Sequence, residues 1–354
     1  MRVKTAMEFK KKISVIMPFY NTPVPILREA IESILNQTFR DFELVIIDDC
    51  STDESADYLK SINDERVRII RNPVNLGVTK SLNVGLSEAK GKYIARMDSD
   101  DISFPERLQK EYEYMEAHPD TVMCGSRVEL FGSRSGFGIK PINDTEIYRA
   151  TLLFRYPGPM HPTIFLRHEA LLTYGVRYNE NLKYAQDYDL YAKVTPLGKI
   201  YIFPEPLLKY RTHEKQISST GRDIQMECAK ATQRRLLAKL LGDISEKELE
   251  MHYTHSCGYD LGCVINEEIA AWYDKIAEAN KTAKIYDQKK LEKVIVSVKE
   301  SLVKAFFTQD RGIKEKLWTC LHYLPFLSVI HVSLSVLKSC ILDRKGGGHE
   351  DRTN

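Results

Sequence analysis

The sequence predicts an α/β fold: a Rossmann-like mixed sheet flanked by helices, followed by a purely helical C-terminal region. Three observations predict it. Short apolar runs rich in β-branched residues alternate with helical segments over the first hundred residues. Several of those runs end in clustered carboxylates or, once, in Pro-Phe-Tyr-Asn. Beyond about residue 222 helix formers dominate, Gly is sparse and Pro is absent until Pro325.

Residues 13–17 (ISVIM) make a short buried strand by composition. Over residues 25–36, Ile26, Leu27, Ala30, Ile31 and Ile34 recur at helical spacing. Residues 42–47 (FELVII) form a second buried strand, stopped by Asp48 and Asp49. Residues 53–61 predict a helix and 67–70 a third strand. Residues 79–89 predict another helix, with Gly91 as its C-terminal stop. Residues 92–97 (KYIARM) form a fourth strand, ended by Asp98, Ser99, Asp100 and Asp101. Such alternation implies parallel pairing with crossover helices. Ligands of such sheets bind beyond the carboxyl ends of the strands. Three strand ends should therefore converge: Pro18-Tyr20-Asn21, Asp48-Asp49 and Asp98-Asp100-Asp101.

The stretch 111–215 is less regular. Gly132, Gly136 and Gly138 punctuate short apolar runs, and PGPMHP (157–162) is a loop before the strand-like TIFLR. Residues 182–189 lead into a helix, and 200–203 and 207–210 predict two strands. Mixed pairing follows. The chain thus divides into a domain over 13–220, with halves 13–110 and 111–220, and a helical region over 222–345. The last eleven residues have a disordered composition.

Composition is ordinary for a globular chain, at 354 residues, 43% hydrophobic and 28% charged. A net charge of +2 gives no global electrostatic case for nucleic acid. Seven widely spaced cysteines without a CxxC pair argue against a zinc site and for reduced thiols in the cytoplasm. The basic N-terminus lacks the apolar stretch and cleavage site of a signal peptide.

Asp98 and Asp100 stand in the spacing Asp-x-Asp. In an extended segment positions i and i+2 face the same way, so two carboxylates address one ligand. A divalent cation held there neutralises phosphate oxygens. The plainer reading is a helix cap, with Asp101 in that role. Asp48 and Asp49 divide similarly: Asp49 to a ligand, Asp53 to capping the next helix. In YAQDYDLY (184–191), Asp187 and Asp189 do not share a helical face, so only one should point inward. That one is a candidate general base; the alternative is complementing the helix dipole. In KYRTHEKQIS (209–218), Arg211 and His213 can meet a diphosphate, one as countercharge and one near the metal. His161 is a candidate in the 157–162 loop.

The set ISVIMPFYN, FELVIIDDCSTD, YIARMDSDD, AQDYDLY and LKYRTHEKQIS, in this order, resembles the family 2 glycosyltransferases of the GT-A fold over residues 13–220. The stretch from VRYNENLKYAQDYDLY to HEKQISS is similar to bacterial N-acetylglucosaminyltransferases that extend lipooligosaccharides. The resemblance implies an inverting transfer from a nucleotide-sugar donor, usually UDP-linked, with Mn2+ or Mg2+. It implies a hydroxyl of a growing surface glycan or glycolipid as acceptor. Carried over residue by residue, Pro18, Tyr20 and Asn21 line the base pocket, Asp49 contacts uracil and Asp98 lies by the ribose. Asp100 becomes the metal ligand and Asp187 the catalytic base. Two positions depart from the family pattern. Gln186 replaces a common Glu beside the base, and Cys50 replaces the Gly common after the Asp pair, at a turn that tolerates the change. Two rivals have their own signatures. A nucleotidylyltransferase carries a Gly-rich phosphate loop near its N-terminus, which is absent here. An inactive glycan- or nucleotide-binding protein loses Asp100 or Asp187, and both are present.

Residues 318–342 are strongly apolar and flanked by Arg311, Lys314, Lys316, Arg344 and Lys345. Their length suits a span, but Pro325, His322, His331 and Lys338 favour a helix lying in the membrane interface. Packing on the catalytic domain is the third option. The expected location is cytoplasmic, peripheral at the inner face of the membrane.

Overall fold

The computed structural model describes residues 7–138, 140–213, 221–256, 266–307 and 323–324. Apolar alternation builds the first layer. The strands β1 (Lys11–Phe19), β2 (Phe42–Asp48), β3 (Val67–Arg71) and β4 (Gly91–Arg96) alternate with helices α1 (Val24–Leu35), α2 (Ser55–Lys60) and α3 (Val78–Glu88). β1 pairs in parallel with both β2 and β4, and β2 with β3. Ile13, Val15, Met17 and Phe19 point to one face, where they share a core with Leu27, Ala30, Ile31 and Ile34 of α1. That is period two meeting period 3.6. Strand order reverses between β1 and β4, and in such sheets ligands bind beyond the carboxyl ends of the strands at that point.

Gly91 is not the stop of α3. The helix ends at Glu88, with Ala89 already extended. Gly91 opens β4 instead, and a Cβ there would lie 2.3 Å from the Ser14 backbone nitrogen. Its lack of a side chain lets β4 approach β1.

The second layer continues the sheet with mixed polarity. After β5 (Ile102–Ser103) come α4 (Arg107–Ala117), β6 (Thr121–Gly132), β7 (Gly136–Phe137), α5 (Thr145–Thr151), β8 (Phe165–Arg167), α6 (His168–Tyr174), α7 (Gln186–Val194) and β9 (Lys199–Thr212). The sheet runs β3-β2-β1-β4-β8-β6-β9-β5, with β7 on β6. β8 is antiparallel to β4 and β6, whereas β6 and β9 run parallel. The two strands predicted at 200–203 and 207–210 are one strand, β9. Its register against β6 shifts between Phe203 and Pro206, where prolines lack the N–H a regular ladder needs.

The chain divides into two compact units, Met1–Arg149 with Tyr156–Thr232, and Ala150–Arg155 with Gln233–Asn354. In the second unit the segment Ala150–Arg155 is held by its helices. The helices are α8 (Arg222–Leu241, whose start belongs to the first unit), α9 (Glu246–Ser256), α10 (Glu267–Ala283) and α11 (Gln288–Phe307). The Gln233 amide donates to the Phe154 carbonyl at 2.8 Å. His252 accepts from the Trp272 indole at 3.1 Å through Nδ1, so its Nε2–H donates to the Leu153 carbonyl at 2.8 Å. Among the described residues no helix is long and apolar enough to cross a membrane. Apart from Tyr323 and Leu324, residues 318–342 lie outside the described residues.

Candidate active site

The carboxyl ends of β1, β2 and β4 gather most of the candidate residues. Pro18 is buried in β1, and Tyr20 just beyond it is 48% exposed. Asn21 adopts a left-handed φ of 49° and exchanges bonds with the next strand end. Its amide donates to Ser51 Oγ at 3.1 Å, and its Oδ1 accepts from Thr52 N at 2.9 Å. Cys50 also has a left-handed φ, of 66°. That conformation favours glycine, so a Cys there costs about 1 kcal/mol. The turn accepts the residue at a cost.

Asp49 is buried and spends its carboxylate on the loop after β3. It accepts from Asn72 Nδ2 at 2.7 Å and from the amides of Leu76 and Gly77 at 2.8 Å each. Asp48 accepts from Ser51 N and pairs with Arg71. Asp53 accepts from Ser55 N at 3.2 Å at the entrance to α2.

Asp98, Asp100 and Asp101 each bring a carboxylate oxygen within 4.8 Å of the others. Asp101 caps no helix: it is buried, and α4 starts only at Arg107. One of its oxygens accepts from Arg211 N at 2.8 Å; the other is buried without a partner among the described residues. Burial, then the charge of Asp98, raises the pKa of Asp100. Burial, then the charges of Asp98 and Asp100, raises that of Asp101 well above the carboxylate range. His213 Nε2 lies 3.6 Å from Asp100 Oδ2. Three clustered hard oxygens, one of them buried and unpartnered, are a donor set that fits Mg2+ or Mn2+. The Arg211 guanidinium is engaged with the Asp100 carbonyl at 2.7 Å and with Glu29 at 2.6 Å. It ties the end of β9 to the acidic segment.

Asp187 stands apart from this cluster, in the first turn of α7, which Ala185 enters with a φ of 52°. Its Oδ1 accepts from Tyr188 N at 2.9 Å. Burial raises its pKa, against the Tyr156 hydroxyl and the Tyr188 amide, which pull it down. Burial first, and then the charge of Asp187, raises the pKa values of Tyr148, Tyr156, Tyr178 and Tyr191. The Tyr148 hydroxyl donates to the Gly158 carbonyl, and those of Tyr156 and Tyr191 to the Pro159 carbonyl, which anchors the 157–162 loop to this cage. Asp189 is buried and paired with Lys193 at 2.6 Å, whereas Asp187, on a different side of the helix, is only partly buried. From that loop, His161 Nε2 meets the Tyr178 hydroxyl at 2.9 Å. Burial, then the charge of Arg96, pushes the His161 pKa well below its usual value.

Four residues escaped sequence reasoning. Arg96 is a charged residue inside the apolar strand KYIARM, on the same alternation as Asp98, and that pattern was the signal. Arg107 is fully buried, donates to the Arg96 carbonyl at 2.9 Å and pairs with Glu111. Asn83 of α3 bonds both backbone groups of Tyr178, at 3.1 and 3.0 Å, and so fixes the approach to α7. Tyr156 follows an exposed Arg155 and carries no local signal.

The sequence profile of glycosyl transferase family 2 matches residues 14–175. An uncharacterized glycosyltransferase of Haemophilus influenzae is 35% identical over 246 residues, which cover 66% of this chain and 75% of that protein. The Escherichia coli O-antigen biosynthesis glycosyltransferase WbnJ is 34% identical, over 64% of this chain and 89% of its own. Among solved structures, Staphylococcus aureus TarS 1–349 in complex with UDP-GlcNAc superposes with a TM-score of 0.56 at 18% identity. It covers 86% of this chain and 88% of its own, a likeness of fold.

Proposed function

Because this chain belongs to glycosyl transferase family 2 and has the GT-A fold, we propose that it moves a hexose from a UDP-linked donor to a hydroxyl of a growing surface glycan, with inversion at the anomeric carbon. The observation that carries the proposal is the pairing of two unlike carboxylate environments. One is the triplet Asp98, Asp100 and Asp101 at a strand end. The other is the isolated Asp187 in its tyrosine cage.

Pro18, Tyr20 and Asn21 form the wall for the base. Asp49 completes it by holding the 72–77 loop, with one acceptor site left on Oδ2 for the uracil. Asp98 receives the ribose. Asp100, with Asp101 and His213, holds the divalent cation, Mn2+ or Mg2+. Bound there, that ion neutralises the leaving diphosphate. Arg211 keeps the end of β9 against this segment and adds positive charge beside it.

Asp187 accepts the proton of the acceptor hydroxyl. A carboxylate raised by burial is a stronger base than one in water, which suits that task. WbnJ acts in O-antigen biosynthesis by its name, which favours a surface glycan here, and TarS is seen with UDP-GlcNAc, which favours a UDP-sugar. A hydrolysis and transfer screen across UDP-, GDP- and dTDP-sugars with Mn2+ tests the reading. Turnover confined to UDP-sugars is the expected result, and turnover of GDP- or dTDP-sugars alone refutes the donor assignment.

Peripheral contact with the membrane is the second part of the proposal. It rests on the apolar run 318–342 and its basic flanks. Flotation with anionic liposomes at low and high salt tests it. A full-length chain that stays in solution at low salt refutes it.

A further inference from the structure

β4 alternates strictly. Tyr93 and Ala95 enter the core that α1 shares, as does Met97 beyond the strand, so Arg96 points to the opposite face. It is 5% exposed. One terminal nitrogen, Nη2, pairs with Asp98 Oδ1. Its Nε and Nη1 are buried and have no hydrogen-bond partner among the described residues. Buried guanidinium N–H groups left unpaired are costly, and folded chains keep them where a ligand, an ion or a water completes them.

The neighbours of Arg96 define where those groups lie. Asp98, Tyr178 and Asp101 all act on its charge. Its own charge acts on Asp100, Asp187 and His161. Arg96 therefore lies within electrostatic reach of both the acidic triplet and the proposed base. In an in-line displacement the sugar ring occupies the space between leaving group and base. Asp98 already balances the charge of Arg96. What remains is a pair of directional donors rather than a free cation, which suits oxygens of a neutral ring better than a diphosphate.

We propose that Arg96 is the residue that grips the transferred sugar, its Nε–H and Nη1–H donating to hydroxyl or acetamido oxygens of the hexose. This deepens the nucleotide-sugar reading above and rests on it. Tyr178 and the neutral His161 complete that wall of the subsite, joined to each other by their 2.9 Å contact.

The test separates nucleotide from sugar. Equilibrium affinities for UDP, UDP-glucose and UDP-GlcNAc are measured in Mn2+ for the wild type, Arg96→Lys and Arg96→Gln, with thermal melts to check folding. Arg96→Lys keeps a positive charge for Asp98 but loses the planar fork. Its affinity for UDP should stay within about threefold. Its affinity for the preferred UDP-sugar, relative to UDP, should fall about 10- to 100-fold, the worth of one or two hydrogen bonds to a charged group. A ratio unchanged from wild type, or UDP and UDP-sugar weakening in parallel in a folded variant, overturns the proposal. Wild-type protein offers a second route that needs no variant to fold. Donor analogues lacking single hydroxyls should include at least one that binds about tenfold more weakly than its parent, and a uniform series overturns the proposal. Wild type that binds no UDP in Mn2+ refutes the nucleotide-sugar reading itself, and this inference falls with it.

Discussion

The two ends of the site are built from opposite materials. At the donor end, carboxylates crowd the carboxyl ends of parallel strands, where the sheet backbone sets their spacing. Burial raises the pKa values of Asp100 and Asp101, and the neighbouring carboxylates raise them further. At the acceptor end a single carboxylate, Asp187, sits among tyrosines, and burial raises its pKa with no neighbouring carboxylate among the described residues adding to the rise. Its place depends on side chains from distant segments, such as Asn83 bonding Tyr178 across 95 positions of sequence. A cluster of like charges seeks a cation; one desolvated carboxylate seeks a proton. In the proposed function the difference corresponds to binding at one end and proton transfer at the other, and each end should fail in its own way.

The sharpest break is at the acceptor end. Asp187→Asn keeps the shape and removes the base. Turnover on a saturating acceptor should fall roughly 10²–10⁴-fold, while calorimetric affinity for UDP with Mn2+ stays that of the wild type. Near-normal turnover in that variant would remove Asp187 from the mechanism.

The donor end should show the mirror image. Asp100→Ala takes one oxygen donor from the triplet. Titration of UDP with and without Mn2+ should lose the metal-dependent part of the affinity, roughly 10- to 100-fold. Metal-dependent binding that persists unchanged assigns the cation to other ligands.

The same contrast explains what the sequence revealed. The donor end was legible because β-branched runs ended by Asp48, Asp49, Asp98 and Asp100 carry their geometry in the local pattern. Asp101 was the exception: in sequence it looks like a cap, and only the return of β9 with Arg211 turns it inward. At the acceptor end Asp187 could be named as a candidate, but not its cage. Tyr148 reaches it from α5 and Tyr156 and Tyr178 from two separate loop segments, and no period in the sequence encodes that meeting. The mixed sheet was foreseen, but β9 was split in two because Pro204 and Pro206 suggest a break that the register shift absorbs. Gly91 misled for a related reason: a glycine after a helix usually stops it, and here it serves strand contact.

Gly91 therefore supplies a milder test of the claim that backbone sets the donor end. Gly91→Ala places a Cβ 2.3, 2.6 and 2.8 Å from three backbone atoms, which cannot swing aside. Denaturant unfolding should show a loss of about 1–3 kcal/mol, the usual range for overpacking. If β4 can move away from β1 at little cost, the midpoint will not change, and the rigid-backbone account of the donor end fails.

The smallest effect probes the tuning of the base. The Tyr156 hydroxyl stands within hydrogen-bonding reach of two acceptors, the Asp187 carboxylate and the Pro159 carbonyl. Bonded to the carboxylate, it favours the charged form and lowers the Asp187 pKa against the rise from burial. Tyr156→Phe removes that donor, so the pKa moves further up. The base works only when ionised, so the acid limb of the kcat–pH profile should shift to higher pH. A hydrogen bond to a charged group and the remaining Tyr188 amide set the scale at on the order of one pH unit. Well above the limb the variant should turn over like the wild type, because the phenyl ring still fills the cage. A limb that does not move means the hydroxyl is committed to Pro159, and Tyr156 then serves the 157–162 loop rather than the base.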